Sequence, residues 1–301
     1  MCLVRDLQRA ESLFPTKAPN FVVGSLQDQK AVRACCADVD IIYHSAGLTK
    51  ALSRKDFFAV NATATRQLLD TAAETAPDLE RFVYISSQAA SGPSKLGQPK
   101  TEDDAAVSVS DYGASKLAGE HEVEKSGLPW TVMRPCAVYG PGDKAFLTVF
   151  KIVRRGFMPV VGNPRQELSM VHIADLVDAL LEAQKPETVG QTYFVCHPEV
   201  LRANDLCKHI GAAVSPLKKK APTVVGLPAW FAKGLLTVIG TAARLAGQTT
   251  FLSADKSNEY LAEAWVCSPA KLASATGWNA KIDYREGARQ TADWYRENGW
   301  L

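Results

Sequence analysis

Residues 81–87 read RFVYISS, and the reading of that run decides the fold. Apolar and β-branched residues follow one another without alternation and stop at two serines. That is how a strand covered on both faces ends when its last side chains reach solvent. Similar runs lie along the chain: NFVVGS at 20–25, VDIIYHSAG at 39–47, WTVMRP at 130–135 and TYFVC at 192–196. Helical patterns fill the intervals at 27–37, 61–75 and 111–126, the last with Asp111 as its expected N-cap. Strand and helix in regular alternation predict an α/β fold with a doubly wound parallel sheet. Such sheets bind ligands beyond the carboxyl ends of their strands, which places Ser86 and Ser87 at the edge of a site.

Beyond Pro141 and Gly142 the alternation loosens. Residues 1–140 with about 171–196 are expected to form the doubly wound, Rossmann-like domain. Residues 141–170 and 197–301 are expected to form a smaller, mostly helical substrate lobe. The segment 224–252 is strongly apolar, but Pro228, Lys233 and Arg244 interrupt it, so it fails as a membrane span. An amphipathic helix that lines a pocket or touches a membrane surface peripherally is the expectation.

Composition excludes several classes. The 301 residues carry a formal net charge of +2, with bases and acids nearly matched, which gives no footprint for nucleic acid. The one basic run, Lys218 to Lys220, reads as a solvated loop. The 7 cysteines show no CxxC spacing, and adjacent Cys35 and Cys36 suit neither a disulfide nor a metal site. Buried thiols in a reducing cytosol are expected, with no metal. No basic-then-apolar leader opens the sequence.

The stretch SDYGASKLAGE at 110–120 carries the chemistry. Tyr112 and Lys116 stand four positions apart, on one helix face and about 6 Å apart along the axis. An isolated phenol titrates near pH 10, and a fixed ammonium beside it favours the phenolate. A phenol so tuned moves a proton to or from a substrate oxygen while a hydride moves at the adjacent carbon. YxxxK alone also arises by chance. Here Ser87 stands at the end of a strand upstream, and RPCAVYGPGD follows at 134–143.

Taken in order, VDIIYHSAG, FFAVNATATRQLLDTA, RFVYISSQAASG, YGASKLAGE, RPCAVYGPGD and SMVHIADLVDALL resemble an extended short-chain dehydrogenase/reductase of the NAD(P)-dependent epimerase/dehydratase superfamily. The resemblance covers about residues 3 to 182, and WVCSPAKLASATGW near the C-terminus also fits. It implies Tyr112 as acid/base, Lys116 as the group that lowers the tyrosine pKa and holds the nicotinamide ribose, and Ser87 as the residue that orients substrate. Ser86 is the nearby alternative. By the same resemblance Ala46, Gly47 and Asn61 belong to the cofactor surround, Pro135 and Val138 flank the nicotinamide, and His172 and Asp175 serve structure. A homodimer through the helices beside the tyrosine is compatible with it.

The resemblance also implies a first strand and a GxxGxxG turn that receives the pyrophosphate. No such turn stands before MCLVRDLQRAESLF, which resembles the second strand onward. In the order 3-2-1-4-5-6 the absent strand is central. The 301 residues are therefore expected to be an N-terminally truncated version of the fold, unstable alone and weak in dinucleotide binding. At the end of the second strand, Arg5, with Arg9 behind it, suits a 2′-phosphate, so NADP is favoured over NAD, although Asp6 follows at once.

The substrate reading rests on what sugar-nucleotide relatives usually carry. Cys136-Ala137 stands where they have Asn, and Leu168 where they have an Arg for the diphosphate, although Arg165 is near. The expected function is oxidation or reduction of a ketone or secondary alcohol on an apolar small molecule, similar to hydroxysteroid dehydrogenases and dihydroflavonol reductases. A sugar-nucleotide epimerase or dehydratase is the first alternative, and a cofactor-free binding module the second.

Overall fold

The computed structural model describes residues 1–14, 16–161, 164–215, 221–250 and 254–301. The lysine run 218–220 lies outside them. The chain opens with two short parallel strands, β1 (Cys2–Val4) and β2 (Phe21–Val23). Then come β3 (Ile41–His44), β4 (Arg81–Ile85), β5 (Trp130–Pro135), β6 (Ala137–Tyr139), β7 (Phe157–Val161) and β8 (Glu167–His172). The remaining strands are β9 (Gln191–Val195), β10 (Val200–Arg202), β11 (Thr223–Leu227) and β12 (Ala264–Trp265).

The main sheet runs β3-β4-β5-β9, every pair parallel. TYFVC thus rejoins the sheet as β9, as its apolar pattern predicts. Helices cover both faces, which explains why β4 reads as an unbroken apolar run: Phe82, Val83 and Tyr84 have no exposed surface at all. On one face Leu68, Leu69 and Val123 pack against Phe82 and Tyr84. On the other, Val171, Leu176 and Leu272 pack against Met133 and Phe194.

β1 and β2 form a separate two-stranded sheet. The division falls where the sequence predicts an absent central strand. On the sides of β1 and β3 away from their partners, no described strand pairs.

Three local expectations change. Ser110, not Asp111, caps the helix Asp111–Glu124: its hydroxyl accepts from the Gly113 amide at 3.1 Å. Both residue types cap well, and the serine one place earlier has the extended backbone a cap needs. The helix expected from 61 begins earlier, at Arg54–Phe58. It passes through one π-helical turn, Ala59–Thr63, and continues as Ala64–Thr75.

The segment 224–252 is not helical throughout: β11 pairs in parallel with β7 before the helix Ala229–Leu245 starts after Pro228. The C-terminal part is mainly helical, as expected, and β8 in addition gathers β6, β10 and β12 into a second four-stranded sheet.

Candidate active site

Ser87 lies two residues beyond β4, in extended backbone. Its hydroxyl accepts from the Ala89 amide at 3.2 Å, capping the short helix Gln88–Ser91, and also hydrogen-bonds the Tyr112 phenol. Asp111–Glu124 carries Tyr112 in its first turn and Lys116 one turn on. The helix presses against its neighbours because Gly119 has no side chain; a Cβ there would collide with the Tyr84 hydroxyl and the Asn61 carbonyl oxygen.

Beneath the tyrosine, Lys116 is buried. Its ammonium donates to the Ile85 carbonyl at 2.6 Å and sits 4.3 Å from the centre of the Tyr84 ring. Burial pulls its pKa down from 10.5 to about 8, against the upward pull of Glu120. Glu120 is tied in turn to Arg134 by two hydrogen bonds of 3.0 and 2.6 Å, both side chains almost wholly buried. The Ser86 hydroxyl donates to the same carboxylate. This corrects the alternative role for Ser86: its side chain points into the Glu120–Arg134 pair, and Ser87 alone of the two lines the cavity.

The expectation that Lys116 depresses the tyrosine pKa does not hold in this geometry. Burial, with a smaller contribution from the Glu259 carboxylate, pushes the Tyr112 phenol above its ordinary value, against the Ser87 hydrogen bond. Tyr112 is therefore protonated at neutral pH.

Asn61 is buried and links elements. Its amide nitrogen donates to the Leu48 carbonyl and to Ser115 Oγ, both at 2.9 Å, and its oxygen accepts from the Leu48 amide at 2.7 Å. Those bonds fix the loop after β3, where Ala46 and Gly47 are exposed. A Cβ on Gly47 would lie 3.0 Å from Asn61 Oδ1 and 3.8 Å from Lys116 Nζ, so bare backbone there leaves an open shelf above the ammonium. Donors and shelf together fit a ribose and a flat ring.

Pro135 ends β5 and is buried, and Val138 packs into the core beside Val171. Cys136 and Ala137, not Pro135 or Val138, line the cavity. Arg5 is exposed at the end of β1, and the Asp6 carboxylate is occupied as a helix cap, accepting from the Arg9 amide at 3.0 Å. His172 caps the helix Ile173–Glu182, and Asp175 accepts from the Lys281 and Ile282 amides, both structural roles.

Sequence reasoning missed the other wall of the site. A cavity of about 310 Å³ is lined by Ser87, Gln88, Tyr112, Glu259, Tyr260 and Trp265, among others. Glu259 accepts from the Ser110 hydroxyl and pairs with Lys256 at 2.7 Å, and the Lys256 ammonium lies 4.5 Å from the centre of the Tyr112 ring. The Gln88 amide nitrogen is buried and has no hydrogen-bond partner among the described residues. Gln166, Leu168 and Tyr260 also line a second cavity of about 790 Å³, walled by apolar side chains such as Phe146, Met158, Leu206 and Leu236. Among the described residues no cluster of His, Cys, Asp or Glu suits a metal. Five of the cysteines are buried.

Residues 3–196 match the model of the NAD dependent epimerase/dehydratase family. The ceramide reductase of Caulobacter vibrioides is 28% identical over 283 residues, covering 93% of this chain and 81% of the relative. The UDP-glucose 4-epimerase of Vibrio cholerae is 25% identical over 287 residues, covering 90% of this chain and 81% of that one. Among solved structures, UDP-glucuronic acid 4-epimerase from Bacillus cereus, in complex with UDP-glucuronic acid and NAD, superposes with a TM-score of 0.75 at 18% identity. That match covers 97% of this chain and 86% of the other.

Proposed function

Since this chain belongs to the NAD dependent epimerase/dehydratase family, we propose that it is an NAD(P)-dependent reductase of a ketone carried on a long or fused apolar body. The observation that carries this reading is the pair of neighbouring cavities that share Gln166, Leu168 and Tyr260 as lining. The smaller holds the Ser87 and Tyr112 hydroxyls and the unpaired Gln88 amide, a place for the polar, reacting end. The larger, about 790 Å³ and mostly apolar, adjoins it at Leu168 and Tyr260 and suits the remainder of the molecule. The similarity to a ceramide reductase agrees with this.

The nicotinamide supplies or accepts the hydride. Lys116, Asn61 and the Ala46–Gly47 backbone are the residues that would hold its ribose and ring side. Ser87 donates a hydrogen bond to the substrate carbonyl oxygen, and Tyr112 donates the proton that the oxygen takes as it becomes an alcohol. A phenol held protonated by burial suits that direction. Exposed Arg5 at the end of β1 and exposed Arg9 in the helix Leu7–Ser12 that follows, with Asp6 engaged as a cap, support a 2′-phosphate and hence NADP over NAD.

A second reading, epimerase or dehydratase action on a nucleotide sugar, has its own support: Lys50 and Lys144 line the larger cavity, and cations suit a diphosphate. Incubation with NADPH or NADH and either long-chain and fused-ring ketones or UDP-sugars separates the two. Loss of reduced-nicotinamide absorbance with the ketones is the expected result. Conversion of a UDP-sugar without net cofactor change overturns the reading.

A further inference from the structure

The helix Ala229–Leu245 lies on the surface with only Ala232 and Leu236 buried. At 100° per residue those two, with half-buried Ile239 and Ala243, form one narrow inner stripe. The same count sets Trp230, Phe231, Val238 and Leu245 on the opposite arc, with Leu235 between that arc and the stripe. That arc is bare: Trp230 is 77% exposed, Val238 67% and Leu245 86%. Lys233 and Arg244 are exposed and fall together on the flank between arc and stripe. Large side chains of this kind seldom stand in water as a continuous face unless something covers them.

Charge says what covers it. From Leu206 to Ala254 the sequence has Lys208, Lys218, Lys219, Lys220, Lys233 and Arg244, and no Asp or Glu. The helix is too short and too interrupted to cross a bilayer, and no described helix is long and apolar enough to do so. An apolar arc with tryptophan, flanked by bases in an acid-free segment, matches the requirement for lying in the interface of an anionic bilayer. We propose that Ala229–Leu245 docks this protein on the surface of a membrane that contains anionic phospholipid. Leu236, on the inner stripe, lines the large apolar cavity, so one helix has lipid on its outer side and the cavity on its inner side. The docking stands independently of the substrate reading, because it is measured without turnover.

The test is flotation of the purified chain with vesicles of phosphatidylcholine alone or of an equal mixture with phosphatidylglycerol. Binding to the mixed vesicles, its loss at high salt, and little binding to phosphatidylcholine alone are expected. Val238→Glu and Leu235→Glu abolish binding with an unchanged melting curve, and Lys233→Gln and Arg244→Gln each weaken it roughly five-fold. A chain that stays unbound with both vesicle types overturns the proposal, as does equal binding to both. So does a dimer in sedimentation equilibrium that Val238→Glu dissolves while vesicles are ignored, because the arc then belongs to a second copy.

Discussion

Two regions of this molecule are built from the same kind of strand and end up very differently held. β4 and β1 are both short apolar runs in parallel pairing. β4 has a strand on each side and helices over both faces, and its central residues are wholly buried. β1 has one partner, and all of its residues remain partly exposed; in β2, Val23 is 55% exposed. Composition does not separate them, but neighbours do. The region that positions Ser87, Tyr112 and Lys116 is determined from several sides at once. The region that carries Arg5 hangs on a single ladder.

The contrast sets the predictions. The largest effect belongs to the tightly held side. Tyr112→Phe should lower ketone turnover about 100- to 10,000-fold with no shift in melting temperature. Undiminished turnover in steady-state kinetics would remove the phenol from the chemistry. Next, Arg134→Met strands the buried Glu120 carboxylate and should cost about 3–5 kcal/mol in urea unfolding. Arg33→Met breaks the exposed pair with Glu74 and should cost under about 1 kcal/mol. Similar costs for the two would erase the distinction.

The sharpest form of the comparison is one substitution made in both strands. Val83→Ala should cost about 2–3 kcal/mol, Val4→Ala about 1 kcal/mol or less, by the same unfolding measurement. The smallest expected effect is in pH dependence. Lys116 holds its proton less tightly when folded than its ordinary 10.5, so the folded chain gains stability from this group as pH climbs from about 8 toward 10.5. Cofactor affinity runs the other way: it draws on the ammonium and should fall a few-fold as pH rises through about 8. Lys116→Met should flatten that profile in a fluorescence titration.

Much of the well-held region was legible in advance. The apolar run at 81–87 marked a buried strand, and the four-residue spacing of Tyr112 and Lys116 put both on one face. What escaped had no local signature. Ser110 and Asp111 compete as caps on equal chemistry, and only the backbone at Ser110 decides. The π-helical turn Ala59–Thr63 carries the same residues a regular helix would. Glu259 reaches Ser110 from 149 residues away, and no pattern near Tyr112 foretells it. The second sheet was missed because β8 recruits β6, β10 and β12, which are scattered along the chain and only two or three residues long.

The order of amino acids determined the alternation of strands and helices, the kind of sheet they make, and a phenol and an ammonium on one helix face. Those follow from unbroken apolar runs and from a helical repeat of about three and a half residues, which short stretches carry on their own. Folding in three dimensions decided which of two serines meets the cavity, that the phenol keeps its proton, and that an apolar cavity adjoins the site. Desolvation and cavity shape are sums over neighbours brought from distant segments, and a periodic pattern does not contain them.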